Sequence, residues 1–318
     1  MTLLLKATEV APLIDMAQAI TLTEEALKEQ SRGKVAVHAP YHLPVPEGAL
    51  RVVSGVLLDT GRMGIRFGPA LGLTPPSGQR NHVAALYGLD GALIALVAYP
   101  FNTLRTGATV GAAVRHLAPQ RSLKLGLLGT GRNAVALLEG IACVRDIDEI
   151  RVFSRDADRR TRFAADAARA LGRPLLAVDS GEQAVAGMDI VLVATSSREP
   201  VFDPVWLEPG CLVTSMGPIG ELPPSLFLAP GRKFVSSMDQ EKAPLRPSFL
   251  VDLVRQGKVK WEDIEELGDL ITGKRPPLQA SNQVTVFHES AGGAGDIMFA
   301  NWVYEEARRR GLGQEVSF

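Results

Sequence analysis

The segment LGLLGTGRNAVALLEGIACV, residues 125–144, decides the fold of this chain. Its first four residues have the character of a buried strand, and an apolar helix is predicted from Ala134 onward. Between them, Gly129, Gly131 and Ala134 have Gly-x-Gly-x-x-Ala spacing. The first glycine permits a tight turn, the second admits a phosphate close to the backbone, and the alanine lets helix and strand pack closely.

This context predicts a turn that holds the pyrophosphate of a nicotinamide cofactor. The free N–H groups and the positive dipole end at the start of the helix favour an anion there. Arg132 and Asn133 complete the turn and are predicted to contact the cofactor with the two glycines.

From Leu123 onward, near-continuous apolar strands alternate with helices, which predicts a parallel sheet covered on both faces. The predicted helices after the turn cover 134–144 and 158–171. The predicted strands are 125–128, 150–153, 175–178, 190–194, 211–213 and 234–237.

The end of the second strand bears on which nicotinamide cofactor binds. A site selective for NAD usually places an acid there for the ribose hydroxyls, whereas an arginine accommodates the 2′-phosphate of NADP. Here Ser154 and Arg155 follow the strand, and Arg159 comes a turn later. We therefore predict NADP, with NAD left possible because Asp156 stands close behind.

Small polar residues follow two further strands of the predicted sheet. Thr195 and Ser196 end one of them, and Met216 and Gly217 end the next. Ligands of such sheets bind outside the carboxyl ends of the strands, so these four residues are further candidates for contact with the cofactor.

The first third of the chain has a different order of predicted elements. A helix is predicted over 11–30, followed by short strands with glycine and proline between them. Residues 82–86 and 93–99 flank the turn at 89–91 and are predicted to form a hairpin. The fold class is thus α/β, a doubly wound Rossmann sheet inserted in a second, α+β domain, with one more long helix from about Asp296.

Composition excludes several classes of partner. The chain has 318 residues and a net charge of −1, so it has no bulk attraction for nucleic acid or an anionic membrane. No apolar run is long enough to span a bilayer, and we expect a cytoplasmic protein. Cys143 and Cys211 both stand in apolar runs and are predicted to be buried, with no disulfide or metal-ligand spacing.

Several segments, in order, resemble the ornithine cyclodeaminase/mu-crystallin family. They are Asn102-Thr103-Leu104-Arg105-Thr106-Gly107-Ala108, the turn at 126–131, the strand and polar end at 190–197, and the tail from Thr285-Val286-Phe287-His288 to Asp296. The resemblance runs from about Pro40 to the last helix.

The resemblance implies a homodimeric enzyme that moves hydride between nicotinamide and the carbon bearing an amine or imine beside a carboxylate. It implies a substrate and dimerisation domain of residues 1–118 plus 290–318, and a dinucleotide-binding domain of residues 119–289. Arg105 matches the arginine that binds the substrate carboxylate, and Thr106 matches a residue that faces the cofactor. Asp296, in the matching tail, is assigned to the cofactor site.

Three positions depart from the family pattern. Arg66 stands where the family has an active-site lysine, and an arginine does not readily give up a proton. His42 stands in place of a second carboxylate-binding arginine. The aspartate that cyclodeaminases place after the fifth strand is missing from the shortened segment 216–221, where Glu221 is the available acid.

These departures favour reduction of an imine or ketimine, or dehydrogenation of an amino acid. Arg66 and Arg105 would hold the carboxylate, and His42 or His82 would supply a proton. Two alternatives stay open: a true ornithine cyclodeaminase, which forms proline and ammonia, and a catalytically impaired protein that binds NADP.

Overall fold

The computed structural model describes residues 1–70, 73, 81–217, 219–243, 248–279, 281–290 and 292–317. It divides into two compact units. Unit 1 is Met1–Arg105 with Ala291–Phe318, and unit 2 is Thr106–Ser290. The sequence predicts domain boundaries after residues 118 and 289, and these boundaries stay a prediction.

The chain begins with the elements of unit 1, up to a helix that continues into unit 2. These elements are β1 Thr2–Leu5, α1 Ala7–Val10, α2 Met16–Ser31, β2 Val35–Val37, β3 Tyr41–Val45, β4 Gly48–Leu57, β5 Arg62–Ala70, β6 Val83–Gly88, β7 Leu93–Ala98 and α3 Asn102–Leu117.

Unit 2 follows, and two elements of unit 1 end the chain. They are β8 Leu123–Leu128, α4 Ala134–Ala142, β9 Ile147–Phe153, α5 Ala157–Leu171, β10 Leu176–Ala177, α6 Gly181–Val185, β11 Ile190–Val193, β12 Leu212–Ser215, α7 Ser225–Leu228, β13 Lys233–Val235, α8 Met238–Lys242, α9 Phe249–Arg255, β14 Ile264–Glu266, α10 Leu267–Ile271 and β15 Thr285–His288, then α11 Ala294–Arg310 and β16 Gln314–Val316.

Unit 2 is built on a parallel sheet in the order β10-β9-β8-β11-β12-β15-β13-β14. Chain order reverses between β8 and β11, which pair in register from Leu125 with Ile190 to Leu128 with Val193. The strands β11, β12 and β15 are buried along their whole length, and β8 is buried except at Lys124, because helices must cover both faces of such a sheet. The fold class predicted from the sequence is confirmed, and a dinucleotide binds at such a reversal.

Unit 1 is built on a mostly antiparallel sheet in the order β16-β1-β7-β6-β5-β4-β2, with β3 paired to β4. The predicted hairpin is confirmed as the antiparallel pair β6 and β7. Helix α11 packs on one face of β4 and β5. Its close approach depends on glycine, because a Cβ at Gly64 would stand 3.1 Å from Ile297 Cδ1 of α11, and one at Gly55 would stand 3.3 Å from Ile297 Cγ1.

Two predictions about local structure were wrong. The helix predicted over 11–30 is interrupted: a 3-10 turn, Ala11–Leu13, contains Pro12, and α2 begins only after Asp15 caps it by accepting a hydrogen bond from Gln18 N. Cys211 is buried as predicted, but Cys143 is exposed because it caps the carboxyl end of α4, beyond the buried face of that helix. Both thiols are free.

No helix in the described part of the chain has the length and apolar character that crossing a membrane requires.

Candidate functional site

The glycine turn of unit 2 has the geometry that its sequence predicts. Gly129 has φ +106°, and a Cβ there would stand 2.4 Å from the carbonyl oxygen of Ala194, so the fold itself requires glycine at this position. At Gly131 the nearest atom to a Cβ is the same oxygen, 3.7 Å away, which is ordinary contact. The chain leaves room at Gly131, as a bound phosphate would need.

Helix α4 starts directly behind this turn. Ala134 is fully buried, and Asn133 precedes it as the N-cap without a side-chain capping bond. The amide of Asn133 instead lies 3.8 Å from the sulfur of Met216. The first turn of α4 therefore keeps N–H groups that no cap side chain accepts from, which fits a pyrophosphate.

The end of β9 carries the residues expected to choose between NAD and NADP. Asp156 is the N-cap of α5 and accepts a hydrogen bond from Arg159 N at 2.9 Å, so its carboxylate has a structural role. Arg155 is exposed, and Arg159 Nη2 donates to Thr130 O at 3.1 Å. Ser154 Oγ lies 3.3 Å from Thr130 Oγ1. Ser154 and Arg159 thus both contact Thr130, between the two glycines of the turn.

The carboxyl ends of β11 and β12 are joined by Glu221. This side chain is fully buried and accepts hydrogen bonds from Thr195 N, Thr195 Oγ1, Ser215 Oγ and Gly217 N. Burial raises the pKa of Glu221, while these four bonds favour the ionised form. Both of its oxygens are occupied, so Glu221 does not present a free acid in place of the missing aspartate. Pro218 lies outside the described residues.

A buried histidine contacts the carbonyl oxygen of Gly217, whose N–H donates to Glu221. His288, at the end of β15, pairs through Nδ1 with Glu241, and its Nε2 lies 3.2 Å from Gly217 O. Burial would lower the pKa of His288, but Glu241 outweighs burial and raises it to about 9. The imidazole is therefore protonated at neutral pH and donates to Gly217 O.

In unit 1, two predicted arginines converge on one carboxylate. Arg66 Nε donates to Asp296 Oδ2 at 2.9 Å, and Arg105 Nε lies 3.4 Å from Asp296 Oδ1. Tyr99, which the sequence analysis missed, donates from its hydroxyl to Asp296 Oδ1 at 2.9 Å. All four side chains are buried. We call Arg66, Tyr99, Arg105 and Asp296 the arginine cluster.

The charges of the arginine cluster depend on one another. Burial would raise the pKa of Asp296, but Arg66 and Arg105 outweigh it and hold that pKa below its ordinary value. Burial, reinforced by Asp296, raises the pKa of Tyr99 well above its ordinary value. The carboxylate is thus ionised and the phenol protonated at neutral pH.

His82 lies beside the arginine cluster, with Nδ1 3.2 Å from Arg66 Nη1. A guanidinium can only donate, so Nδ1 accepts and the ring proton of His82 is on Nε2. His42 lies on β3, opposite Arg51 of β4. His82 contacts a member of the arginine cluster.

Glycines shape the space around Arg105. A Cβ at Gly292 would stand 3.0 Å from Arg105 Nη1, and one at Gly295 would stand 3.7 Å from Arg105 Cδ. The glycine-rich stretch before α11 therefore gives this guanidinium its room. The predicted site residues fall into two sets: His42, Arg66, His82, Arg105 and Asp296 in unit 1, and the glycine turn with the ends of β9, β11 and β12 in unit 2. Thr106 is buried at the first position of unit 2.

Known proteins of similar sequence and fold cover the whole chain. Delta(1)-pyrroline-2-carboxylate reductase of Bacillus cereus is 26% identical in an alignment of 327 positions, gaps included, that covers 99% of this chain and 100% of the relative. The structure of the Thermococcus litoralis enzyme of that name, in complex with NADH and L-proline, is 26% identical with a TM-score of 0.86 and covers 99% of this chain and 100% of that one.

An archaeal alanine dehydrogenase dimer with bound NAD is also 26% identical, with a TM-score of 0.87, and covers 100% of this chain and 99% of that one. The model of the ornithine cyclodeaminase/mu-crystallin family matches residues 1–311, so the resemblance predicted from the sequence is confirmed. This chain belongs to the ornithine cyclodeaminase/mu-crystallin family.

Proposed function

We propose that this protein reduces a cyclic imine that carries a carboxylate on the imine carbon, with a nicotinamide cofactor as the reductant. The chain is an oxidoreductase of its family, whose members include a pyrroline-2-carboxylate reductase and an alanine dehydrogenase. The observation that carries the proposal is the arginine cluster, which buries two guanidinium groups against one carboxylate.

The arginine cluster would bind the carboxylate of the substrate. Guanidinium groups offer parallel donors that match a carboxylate, and Asp296 already fixes the orientation of both arginines. Since the oxygens of Asp296 contact Arg66, Arg105 and Tyr99 and the residue is fully buried, we assign it to positioning the arginines. This role replaces the cofactor contact predicted for Asp296 from the sequence.

Proton supply limits which form of the substrate is reduced. Arg66 does not give up a proton, and His82 carries its ring proton on Nε2 in a neutral imidazole, which is a weak acid. We therefore propose that the imine binds already protonated on nitrogen, with His82 as a hydrogen-bond donor to the substrate and His42 as the second candidate. A nicotinamide cofactor, when bound, would supply hydride to the imine carbon, and the nitrogen would keep its proton.

The cofactor would lie on the glycine turn. Gly129, Gly131, Arg132 and Asn133 would hold the pyrophosphate, and Thr106, Thr195, Ser196, Met216 and Gly217 would line the rest of the site. For the adenosine ribose we propose NADP over NAD. The support is that Ser154 and Arg159 contact Thr130 of the turn, that the exposed Arg155 follows Ser154 in the chain, and that Asp156 accepts a helix-capping hydrogen bond.

Cyclodeamination of ornithine is the less favoured alternative. That reaction needs an acid or base to move protons at the amine, and the acid in the shortened segment, Glu221, has both oxygens occupied by four donors. Direct reduction of a cyclic imine needs fewer proton transfers.

We also propose that the protein is a homodimer. The face of the unit 1 sheet opposite α11 is mostly apolar and carries several partly exposed apolar side chains, which is typical of a surface that a partner covers. Its residues pair across four strands: Val52 with Phe67, Ile65 with Ala85, and Ala85 with Leu96. Ile65 is 38% exposed, and Tyr41, on the strand beside β4, is 62% exposed.

The direct test is oxidation of NADPH and of NADH by the purified protein with pyrroline-2-carboxylate as substrate. The corresponding ketone without nitrogen and the imine without a carboxylate serve as controls. We expect turnover only with the carboxylated imine, and a lower kcat/KM with NADH. Proline and ammonia from ornithine would support cyclodeamination instead, and no turnover with any imine would exclude the proposal.

A further inference from the structure

Glu221 has a bonding pattern that a catalytic acid would not have. Its Oε1 accepts from Ser215 Oγ at 2.7 Å and Gly217 N at 3.0 Å, and its Oε2 accepts from Thr195 N at 2.9 Å and Thr195 Oγ1 at 2.6 Å. A carboxylate has four favourable acceptor sites, so these donors use its capacity fully. Burying this charge is costly, and the four hydrogen bonds offset that cost.

The donors lie on two separate strands. Thr195 follows β11 and Ser215 ends β12, and these strands pair in parallel with Val193 opposite Ser215. One carboxylate therefore ties the carboxyl end of β11 to that of β12. β11 is also the strand at which the sheet order reverses, beside β8.

The loop at Gly217 is held from both sides. Its N–H donates to Glu221, and its carbonyl oxygen faces Nε2 of His288, which Glu241 keeps protonated. A Cβ at Gly217 would stand 2.5 Å from the carbonyl oxygen of Thr195 and 2.6 Å from Glu221 Oε2. No other residue type fits between these groups without movement.

We propose that Glu221 is a positioning residue: it sets the conformation of Thr195 and Gly217 in which both contact the cofactor. The inference rests on the cofactor site of the proposed function and not on the identity of the imine. Glu221 acts through its hydrogen bonds, because protein donors occupy both of its oxygens.

The test substitutes Glu221→Gln and measures cofactor affinity by the fluorescence of NADH and NADPH. A glutamine turns an NH₂ group toward two of the four donors, so the loop ends separate. We expect cofactor Kd to rise at least about tenfold. In turnover with an active imine, the KM for cofactor should rise while kcat at saturating cofactor and the KM for imine change less than about threefold.

The matched control is Glu208→Gln. Glu208 is also an acid of unit 2 that accepts a backbone hydrogen bond, from Gly187 N at 3.2 Å, but it precedes β12 and so lies at its amino end. This variant should bind cofactor as the parent protein does. If E221Q does not fold, the variant Ser215→Ala tests the proposal instead, because it removes one donor and keeps the carboxylate. We expect its cofactor Kd to rise about two- to fivefold.

Folded E221Q or S215A with unchanged cofactor affinity would overturn the proposal, and so would an equal loss in E208Q. A general loss of kcat without a change in cofactor KM would overturn it too. If the parent protein binds NADPH or NADH but reduces no imine, the proposed reaction fails, while the binding measurements still decide the role of Glu221.

Discussion

At the scale of single residues, the arginine cluster shows how a substitution can preserve charge and change chemistry. Arg66 keeps the positive charge of the lysine that the resemblance implies at this position, but its Nε donates to Asp296 and its Nη1 donates to His82. A guanidinium in this position binds and orients, and it does not exchange protons. The site is therefore suited to a substrate that arrives with its proton.

Replacing Arg105 tests the carboxylate clamp. We expect Arg105→Lys to raise the KM for imine and lower kcat/KM by about 10- to 100-fold, because a lysine cannot supply two parallel donors. The Kd of the cofactor should stay unchanged. Arg121→Lys, on an exposed arginine that pairs with Asp189, is the control and should change neither value. An R105K variant with the parent's kcat/KM would contradict the clamp.

The pair of His288 and Glu241 predicts how stability depends on pH. The pKa of His288 is about 9 in the folded protein, above its unfolded value, so its contribution is complete below about pH 6.5 and is lost as the pH rises through 9. The pKa of Glu241 is lowered by His288 against burial, so its contribution is lost at acid pH instead.

We therefore expect the free energy of unfolding to fall on the order of 3 kcal/mol between pH 6.5 and 10 through this pair. Urea denaturation across that range measures it. The double variant His288→Asn with Glu241→Gln keeps polar partners without charges and should lose most of this slope. An identical slope in the two proteins would show that the pair does not titrate as described.

At the scale of elements, the turn between β8 and α4 contains one glycine that the fold requires and another that the fold does not require. Gly129 is required by its positive φ and by Ala194, whereas nothing within 3.7 Å would meet a Cβ at Gly131. Two glycines in one turn therefore have different reasons to be glycine. Gly129 is required by the backbone conformation and packing, and Gly131 leaves room for a ligand.

Alanine at each glycine should distinguish these reasons. We expect Gly131→Ala to keep the thermal midpoint within about 2 °C and to weaken NADPH binding at least about tenfold. Gly129→Ala should lower the free energy of unfolding by about 2 kcal/mol or more, because strain and a backbone clash coincide there. A G131A variant that binds cofactor normally would place the pyrophosphate elsewhere.

The turn between β9 and α5 should set the preference for NADP. In the double variant Arg155→Gln with Arg159→Gln we expect the Kd for NADPH to rise about 10- to 100-fold and the Kd for NADH to change little, since only NADPH carries the 2′-phosphate. Equal losses for both cofactors would assign the arginines to the pyrophosphate or to the fold.

The sequence predicted elements better than contacts. The hairpin of β6 and β7 and the unit of β8 and α4 follow from local periodicity and turn residues, so they were found. Glu221 lies 26 positions from Thr195, and Arg66 lies 230 positions from Asp296. Such pairs form only when the strands are in place, and no local pattern encodes them. The sequence indicates that Glu221 is the acid available in its segment, but it does not predict the four hydrogen bonds that Glu221 accepts.

At the scale of the whole molecule, the apolar sheet face of unit 1 predicts assembly. Ile65→Asp places a charge at the centre of that face, and we expect it to shift a dimer to a monomer in analytical ultracentrifugation. Val205→Asp, at a residue of unit 2 that is 78% exposed, is the control and should leave the dimer intact. A parent protein that sediments as a monomer at micromolar concentration would exclude the dimer.

The pairing of β1 with β16, which brings Thr2 opposite Val316, has a consequence for biosynthesis. A ribosome makes residues 1–105 first, yet their sheet lacks α11, β16 and the carboxylate of Asp296 until unit 2 has been synthesised. We therefore expect unit 2 to fold before unit 1 is complete, in contrast to the usual order in which the amino-terminal portion folds first. In nascent chains that end before residue 292, unit 2 should become resistant to protease. Unit 1 should stay sensitive, because Arg66 and Arg105 lack the carboxylate of Asp296.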